Sequence, residues 1–233
     1  MNLTLAITVY NRYDLLIESF SQVIDDPRID EILIMDDHSK DEYWNKIKEL
    51  PALSPKIKVV RQLENRGMSR NKHDAVFNSK NEWILLGDSD NVFGKDYLDA
   101  AIKYFEIHDP GPDCILCPSF AKPSFDFRKY EGMGFTKFLV KEYIKDPVFN
   151  MMMNCCNYIV NREFYIKAWK ENKEVKGSDT IWHNYNHLIS GGIFCVIPNM
   201  HYAHRIHEHS GFLQDCDYNM RMAEETRNLI LLS

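Results

Sequence analysis

Two aspartates one residue apart, Asp88 and Asp90, follow directly on the apolar run Trp83-Ile84-Leu85-Leu86-Gly87. Carboxylates this close disfavour each other's ionisation, and a shared cation removes the penalty. Carboxylate oxygens suit Mg2+ and Mn2+; Mg2+ takes only one or two from a protein and leaves room for water and substrate phosphates. Asp88-Ser89-Asp90 therefore reads as a site for a metal–nucleotide, or else as an acidic turn capping the next helix. Asp36 and Asp37 end a second apolar run, EILIM at 31–35. A carboxylate accepts hydrogen bonds only, so one of them can take a ring N–H, which uracil, thymine and guanine offer and adenine and cytosine lack. The other role open to each is a helix cap. Arg70, after a turn at Asn65–Gly67, can hold a base edge or a phosphate oxygen, or lie as an exposed helix charge.

Four of the nine histidines, His201, His204, His207 and His209, fall within nine residues. A zinc site is one reading, with Cys216 as a further ligand, although no spacing here matches a standard zinc pattern. If 203–209 is extended, Arg205, His207 and His209 share one face, and a cationic Arg beside a His suits a diphosphate better than zinc.

These residues need elements to position them. Apolar runs at 3–9, 31–35, 56–60 and 83–87 predict strands, and apolar stripes after each predict helices, including 69–79 and one around Tyr97–Phe105. Fourfold alternation predicts an α/β fold, a mainly parallel sheet with helices on both faces. Ligands bind such sheets beyond the carboxyl ends of the strands, where Tyr10, Asn11, Arg12, Asp37, Asp88 and Asp90 all fall. The second half is less regular. Strands are expected at 113–118, 156–160, 193–197 and 200–204, and helices after Asn161, over 178–190 with Ser178 as cap, and from 213 to 231. Residues 121–135, mixing Pro, Gly and aromatics, suggest a functional loop whose Phe125, Phe127, Tyr130 and Phe135 either stack on a sugar or, the better-supported reading, pack in the core; Met151–Met153 either line an adaptable pocket or pack likewise. One domain is expected, with a nucleotide-binding half at 1–112 and a less regular half at 113–233 that contains a smaller mixed subregion.

The 233 residues carry a net charge of −6, which argues against a nucleic-acid partner. No apolar stretch approaches the ~20 residues of a membrane helix, and the N-terminus does not look like a secretory leader. The expectation is a cytoplasmic protein with six reduced cysteines, Cys114-x-x-Cys117 being structural thiols in a strand.

Taken together, TVYNR (8–12), MDDHSKD (35–41), ENRGMSRN (64–71) and LLGDSDN (85–91) resemble glycosyltransferase family 2, whose members have the GT-A fold. The resemblance continues in CNYIVNREFY (156–165), KGSDTIWHNYNHLISGG (176–192) and HRIHEHSG (204–211). The turn before Arg70 is two residues shorter than is usual in the family, and Ser178 stands where a second carboxylate is common. The resemblance implies an inverting, metal-dependent hexosyl-type transferase that moves a sugar from a nucleotide diphosphate sugar, UDP foremost, to a saccharide or glycan hydroxyl. It implies Mn2+ or Mg2+ at Asp90 and Asp88 with His207 as a third contact. Thr8, Tyr10, Asn11, Arg12, Asp37, Arg70, Asp88 and Ser89 are implied nucleotide contacts, and Arg205, His209 and Asn157 diphosphate or acceptor contacts. Asp179 is the implied general base. Its place in the first turn of a helix supports that role, because the dipole favours the ionised form. A lipid-linked acceptor would require peripheral membrane contact, for which no strongly basic amphipathic helix is evident. The rivals are a nucleotidyltransferase, which would want a glycine-rich loop after the first strand that TVYNRYD lacks, and a non-catalytic nucleotide-sugar-binding module.

Overall fold

The computed structural model describes residues 2–206, 210, 213 and 215–233. Its first half runs β1 (Leu3–Val9), α1 (Asp14–Phe20), β2 (Ile29–Asp36), α2 (Asp41–Ile47), β3 (Ile57–Arg61), α3 (Met68–Asn78), β4 (Trp83–Asp88) and α4 (Lys95–His108). The apolar runs become strands; β1, β2 and β4 are buried on both faces, as a doubly covered parallel sheet requires, while β3 at the edge leaves Lys58 exposed. β1 lies between β2 and β4, parallel to both, and β3 extends the sheet beyond β2. The register brings Thr8 level with Met35 and Asp88, and Val9 level with Asp36. The polar ends of three strands therefore meet at one edge.

The second half comprises β5 (Cys114–Lys122), β6 (Phe125–Asp126), β7 (Gly134–Phe135), α5 (Lys137–Tyr143), α6 (Pro147–Met153), β8 (Tyr158–Asn161), α7 (Arg162–Ala168), α8 (Asp179–Ile189), β9 (Ile193–Ala203) and α9 (Cys216–Leu232). Strand order is β3-β2-β1-β4-β8-β5-β9-β7, with β6 beside β5. β8 is antiparallel to β4 and β5, β5 and β9 are parallel, and β7 is antiparallel to β9. The sheet is thus parallel through β1–β4 and mixed beyond. One core packs Leu16, Phe20, Ile47, Tyr97 and Leu98 on one face; the other packs Ala75, Val76, Val140, Phe149 and Ile181 on the opposite face.

Three expectations are corrected. The runs at 193–197 and 200–204 form one strand, β9, which passes through Asn199 at φ +61° with a register shift against β5. Residues 121–135 are not an open loop: Phe127, Tyr130 and Phe135 are buried, with Phe135 4.9 Å from the Phe149 ring. Helices α5 and α6 were not anticipated, yet their starts carry signals: Thr136 accepts from the Leu139 N–H, and Asp146 from the Val148 N–H with Pro147 next to it. All six cysteines are free thiols, and Cys114 and Cys117 are buried on β5.

Gly87 is the last residue before Asp88, and a Cβ there would lie 2.7 Å from Cε2 of the fully buried Phe93. Gly87→Ala should destabilise the fold by about 1–3 kcal/mol through overpacking, measured as a lowered urea midpoint with unchanged m-value. An unchanged midpoint would contradict this packing.

Candidate active site

The loops leaving β1, β2 and β4 fasten one another. Asp36 is fully buried, accepts from the Ser39 N–H at 3.0 Å and lies 3.5 Å from Arg61 Nε. Asp37 accepts from the backbone N–H groups of Arg66 (2.8 Å) and Gly67 (3.0 Å), so it ties the end of β2 to the turn before α3. Burial raises the Asp37 carboxyl, and these two hydrogen bonds only partly oppose it. Asn11, at φ +53°, donates its N–H to Ser39 Oγ and accepts from the Lys40 N–H, both at 2.8 Å, and so closes the turn into α2. Tyr10 stands half exposed at the rim. The Thr8 carbonyl accepts from the N–H of the buried Ser89.

Arg12 Nη1 pairs with Asp90 Oδ2 at 2.7 Å. Arg205 pins the segment after β9 onto the same loop: its N–H donates to Asn91 Oδ1, its guanidinium to the Asp90 and Leu15 carbonyls, and it pairs with Glu18. Arg70 turns away to the flank of α3, 3.0 Å from Asp74 and over the Trp169 ring. His207 and His209 lie outside the described residues. His201 pairs with Asp96, and His204 contacts Ser124 Oγ, so these two histidines go to separate partners.

At the centre is a residue that sequence reasoning missed. Lys72, on α3, is buried, and its ammonium lies 3.2 Å from Asp88 Oδ1 and 3.0 Å from Asp179 Oδ2. It also donates to Thr180 Oγ1 at 3.3 Å. The signal was faint: Lys72 shares its stretch of α3 with the buried Asn71, Ala75 and Val76, whereas a lone helix lysine ordinarily reads as exposed. Cys156 Sγ donates to Asp88 Oδ2 at 2.7 Å, and Asn157 Oδ1 accepts from the Asp88 N–H at 2.9 Å. Tyr97 fixes Asn157 in turn by donating to its carbonyl. Asp88 is thus held from three elements.

Asp179 opens α8, and the expected Ser178 cap is absent: Ser178 Oγ donates instead to the Asn219 carbonyl on α9, while Asn219 Oδ1 accepts from the Gly177 N–H. The buried face of α8 is largely polar, carrying Asp179, Thr180, His183, Asn184 and His187. Burial pushes the Asp179 carboxyl up, and Lys72 offsets only part of that. The helix dipole favours the ionised form and desolvation acts against it. For Asp88 burial also pushes up, but Lys72 and the Cys156 hydrogen bond win, and the net direction is down. Two carboxylates on one ammonium are thus driven apart in acidity, the pattern that lets one stay an anion while the other exchanges a proton.

Among the described residues no group of three His, Cys, Asp or Glu side chains forms a metal cage. Asp88 and Asp90 still suit a hard divalent cation bound with a diphosphate, since their donors are carboxylate oxygens held by cationic side chains that a dication can displace.

Residues 4–169 match the family model for glycosyl transferase family 2. The chain belongs to glycosyltransferase family 2. A family relative described as an uncharacterized glycosyltransferase, from Rickettsia conorii, is 33% identical over 107 residues, 45% of this chain and 17% of its own length. The uncharacterized glycosyltransferase YfnE of Bacillus subtilis is 26% identical over 97 residues, 42% of this chain and 24% of its own. Each match thus spans less than a quarter of these relatives. The structure is similar to S. aureus TarS 1-349 in complex with UDP-GlcNAc, with TM-score 0.71 at 16% identity over 99% of this chain and 70% of that one. It is also similar to the mannosyltransferase PcManGT from Pyrobaculum calidifontis, in complex with GDP-Man and Mn2+, with TM-score 0.64 at 13% identity over 99% and 74%. These likenesses establish the GT-A fold of family 2.

The helix that carries Asp179 is itself held by a buried histidine. His187 lies 2.9 Å from the Asp113 carbonyl, and burial holds it down at about 4 against an ordinary 6.5. The unfolded chain takes up this proton below 6.5, whereas the fold resists it until about 4. Stability should therefore fall as pH drops through that window, by about 3 kcal/mol for a shift of this size. His183, buried with neither ring nitrogen bonded, shifts in the same direction. Urea unfolding across the window should show the decline, and His187→Gln should make it shallower, leaving the His183 contribution. A pH-independent wild type would refute the assignment.

Proposed function

We propose that this chain is an inverting glycosyltransferase that moves a sugar from a nucleotide diphosphate sugar, UDP foremost, to a saccharide or glycan hydroxyl. The observation that carries the reading is the pairing of Asp179 and Asp88 with one ammonium, at the carboxyl edge of the sheet. A donor held at Asp88 then lies beside a carboxylate able to take the acceptor's proton.

Asp179 acts as the general base: it accepts the proton from the acceptor hydroxyl as that oxygen attacks the anomeric carbon from the face opposite the leaving diphosphate. Burial raises its pKa, which brings it nearer the operating range of a base. The nucleotide lies over the ends of β1 and β2, against Thr8, Tyr10, Asn11 and Arg12. Asp37 accepts the ring N–H of the base through lone pairs left over after its two backbone hydrogen bonds. Asp90 and Asp88 would hold Mn2+ or Mg2+, which would supply Lewis-acid neutralisation of the leaving diphosphate. Ser89 lines the donor side. Arg205 and Asn157 face the diphosphate or the acceptor, and His207 and His209 follow in the same late segment. The 1–112 half supplies the donor side and the 113–233 half the base. Among the described residues no helix is long and apolar enough to cross a membrane. A lipid-linked acceptor would call for peripheral membrane contact.

The test is nucleotide release from UDP-, GDP-, dTDP- and CDP-sugars with Mn2+ and a panel of glycan acceptors. Wild type should consume one nucleotide class. Asp179→Asn should lose about 10²–10⁴ in rate while donor affinity stays within about tenfold. Transfer at the wild-type rate in that variant would exclude Asp179 as base, and donor binding without any release by wild type would make the chain a binding module.

A further inference from the structure

Two cations already serve the two aspartates of the Asp-Ser-Asp loop: Arg12 at Asp90 and Lys72 at Asp88. They differ in kind. The Arg12 side chain is 24% exposed. Lys72 is 8% exposed, and the one other carboxylate in its contacts is Asp179, at 3.0 Å. An ammonium buried this deeply needs an anion wherever it goes.

Resting on the metal-dependent reading above, we propose that Lys72 is a built-in counter-ion that competes with the donor's divalent cation for Asp88 and yields to it by moving fully onto Asp179. The geometry provides both end points. Lys72 Nζ already contacts one oxygen of each carboxylate, so the change is a displacement of the ammonium and not a new pairing. Thr180 Oγ1, adjacent to Asp179, accepts from the same ammonium and marks the side to which it withdraws. Asp88 itself stays in place, since the Asn157 side chain holds its backbone N–H and Cys156 its second oxygen. Arrival of the cation on the donor side is thereby felt at the base as a closer ion pair. Lys72 is on this view a positioning residue that acts through Asp88 and Asp179.

The proposal has a signature that general electrostatics lacks. Removing Lys72 should tighten Mn2+ binding, because Asp88 loses its competing cation. Asp179→Asn should weaken it, because Lys72 is left with Asp88 as its only carboxylate. The gain from Lys72→Gln should then be larger in the Asp179→Asn background than in wild type. A mere change in local field would give equal gains in both.

Mn2+ affinity is measured by titration calorimetry with saturating UDP, and again with GDP, for wild type, Lys72→Gln, Lys72→Arg, Asp179→Asn and the double variant. Expected are a gain of about three- to tenfold for Lys72→Gln, a loss of similar size for Asp179→Asn, and near wild-type affinity for Lys72→Arg. If Lys72→Gln alone fails to fold, comparing the double variant with Asp179→Asn carries the test, since the double variant removes one charge of each sign. Equal gains in the two backgrounds, or no gain, would overturn the competition while wild-type Mn2+–nucleotide binding left the transferase reading standing. Absence of that binding in wild type would remove both.

Discussion

One buried ammonium decides how the rest of this structure is arranged. Asp88 and Asp179 come from opposite halves of the chain, and a part-buried and a buried carboxylate this near one another disfavour each other's ionisation unless a cation serves both. Lys72 makes their proximity tolerable. Its desolvation is repaid only because it has two partners and a hydroxyl in contact, and a buried ion pair that loses one member costs about 3–5 kcal/mol. The fold must therefore deliver three elements to one point: α3 with the lysine, the end of β4 with one carboxylate and the start of α8 with the other.

Each delivery has its own fastening. β4 ends on Gly87, where a side chain would strike Phe93, and Asp88 is then gripped through its backbone by Asn157, which Tyr97 fixes in turn. The turn into α3 is tied to β2 by Asp37. The turn into α8 hangs on Asn219 of α9, so an element far along the chain fixes the position of Asp179. Arg205 closes the opposite side by lacing the segment after β9 to the Asp90 loop. The site is thus held mainly by hydrogen bonds between loops, while the two apolar cores hold the sheet beneath it.

The sheet was legible because its signal is local. Unbroken apolar runs ending in polar residues specify strands buried on both faces, and β1–β4 lie within a residue or two of the expected positions. Asp37, Asp88 and Asp90 stood out for the same reason, as acidic residues at the ends of such runs. What escaped was non-local. Lys72 looks like any helix lysine until α3 is packed against α8. Cys156 looks like a core thiol until β8 pairs with β4 and brings it to Asp88. Ser178 fits the pattern of a helix cap, but Asn219 offers its hydroxyl a competing acceptor. Helices α5 and α6 are short and begin with ordinary caps at Thr136 and Asp146, and of the two roles open to the aromatic residues just before them, core packing is the one Phe127, Tyr130 and Phe135 take.

The measurement that bears most directly on the central claim is a thermal-shift panel of UDP, GDP, dTDP and CDP, each with and without Mn2+, on wild type and Asp90→Ala. A ligand at about a hundred times its dissociation constant adds ~2.7 kcal/mol of stability to the state that binds it. The expected result is a Mn2+-dependent shift with one nucleotide, UDP foremost, that disappears in Asp90→Ala. A shift that needs no metal, or one that survives in Asp90→Ala, would contradict the Asp-Ser-Asp loop as the metal–diphosphate site, and no shift with any nucleotide would contradict donor binding at this edge of the sheet.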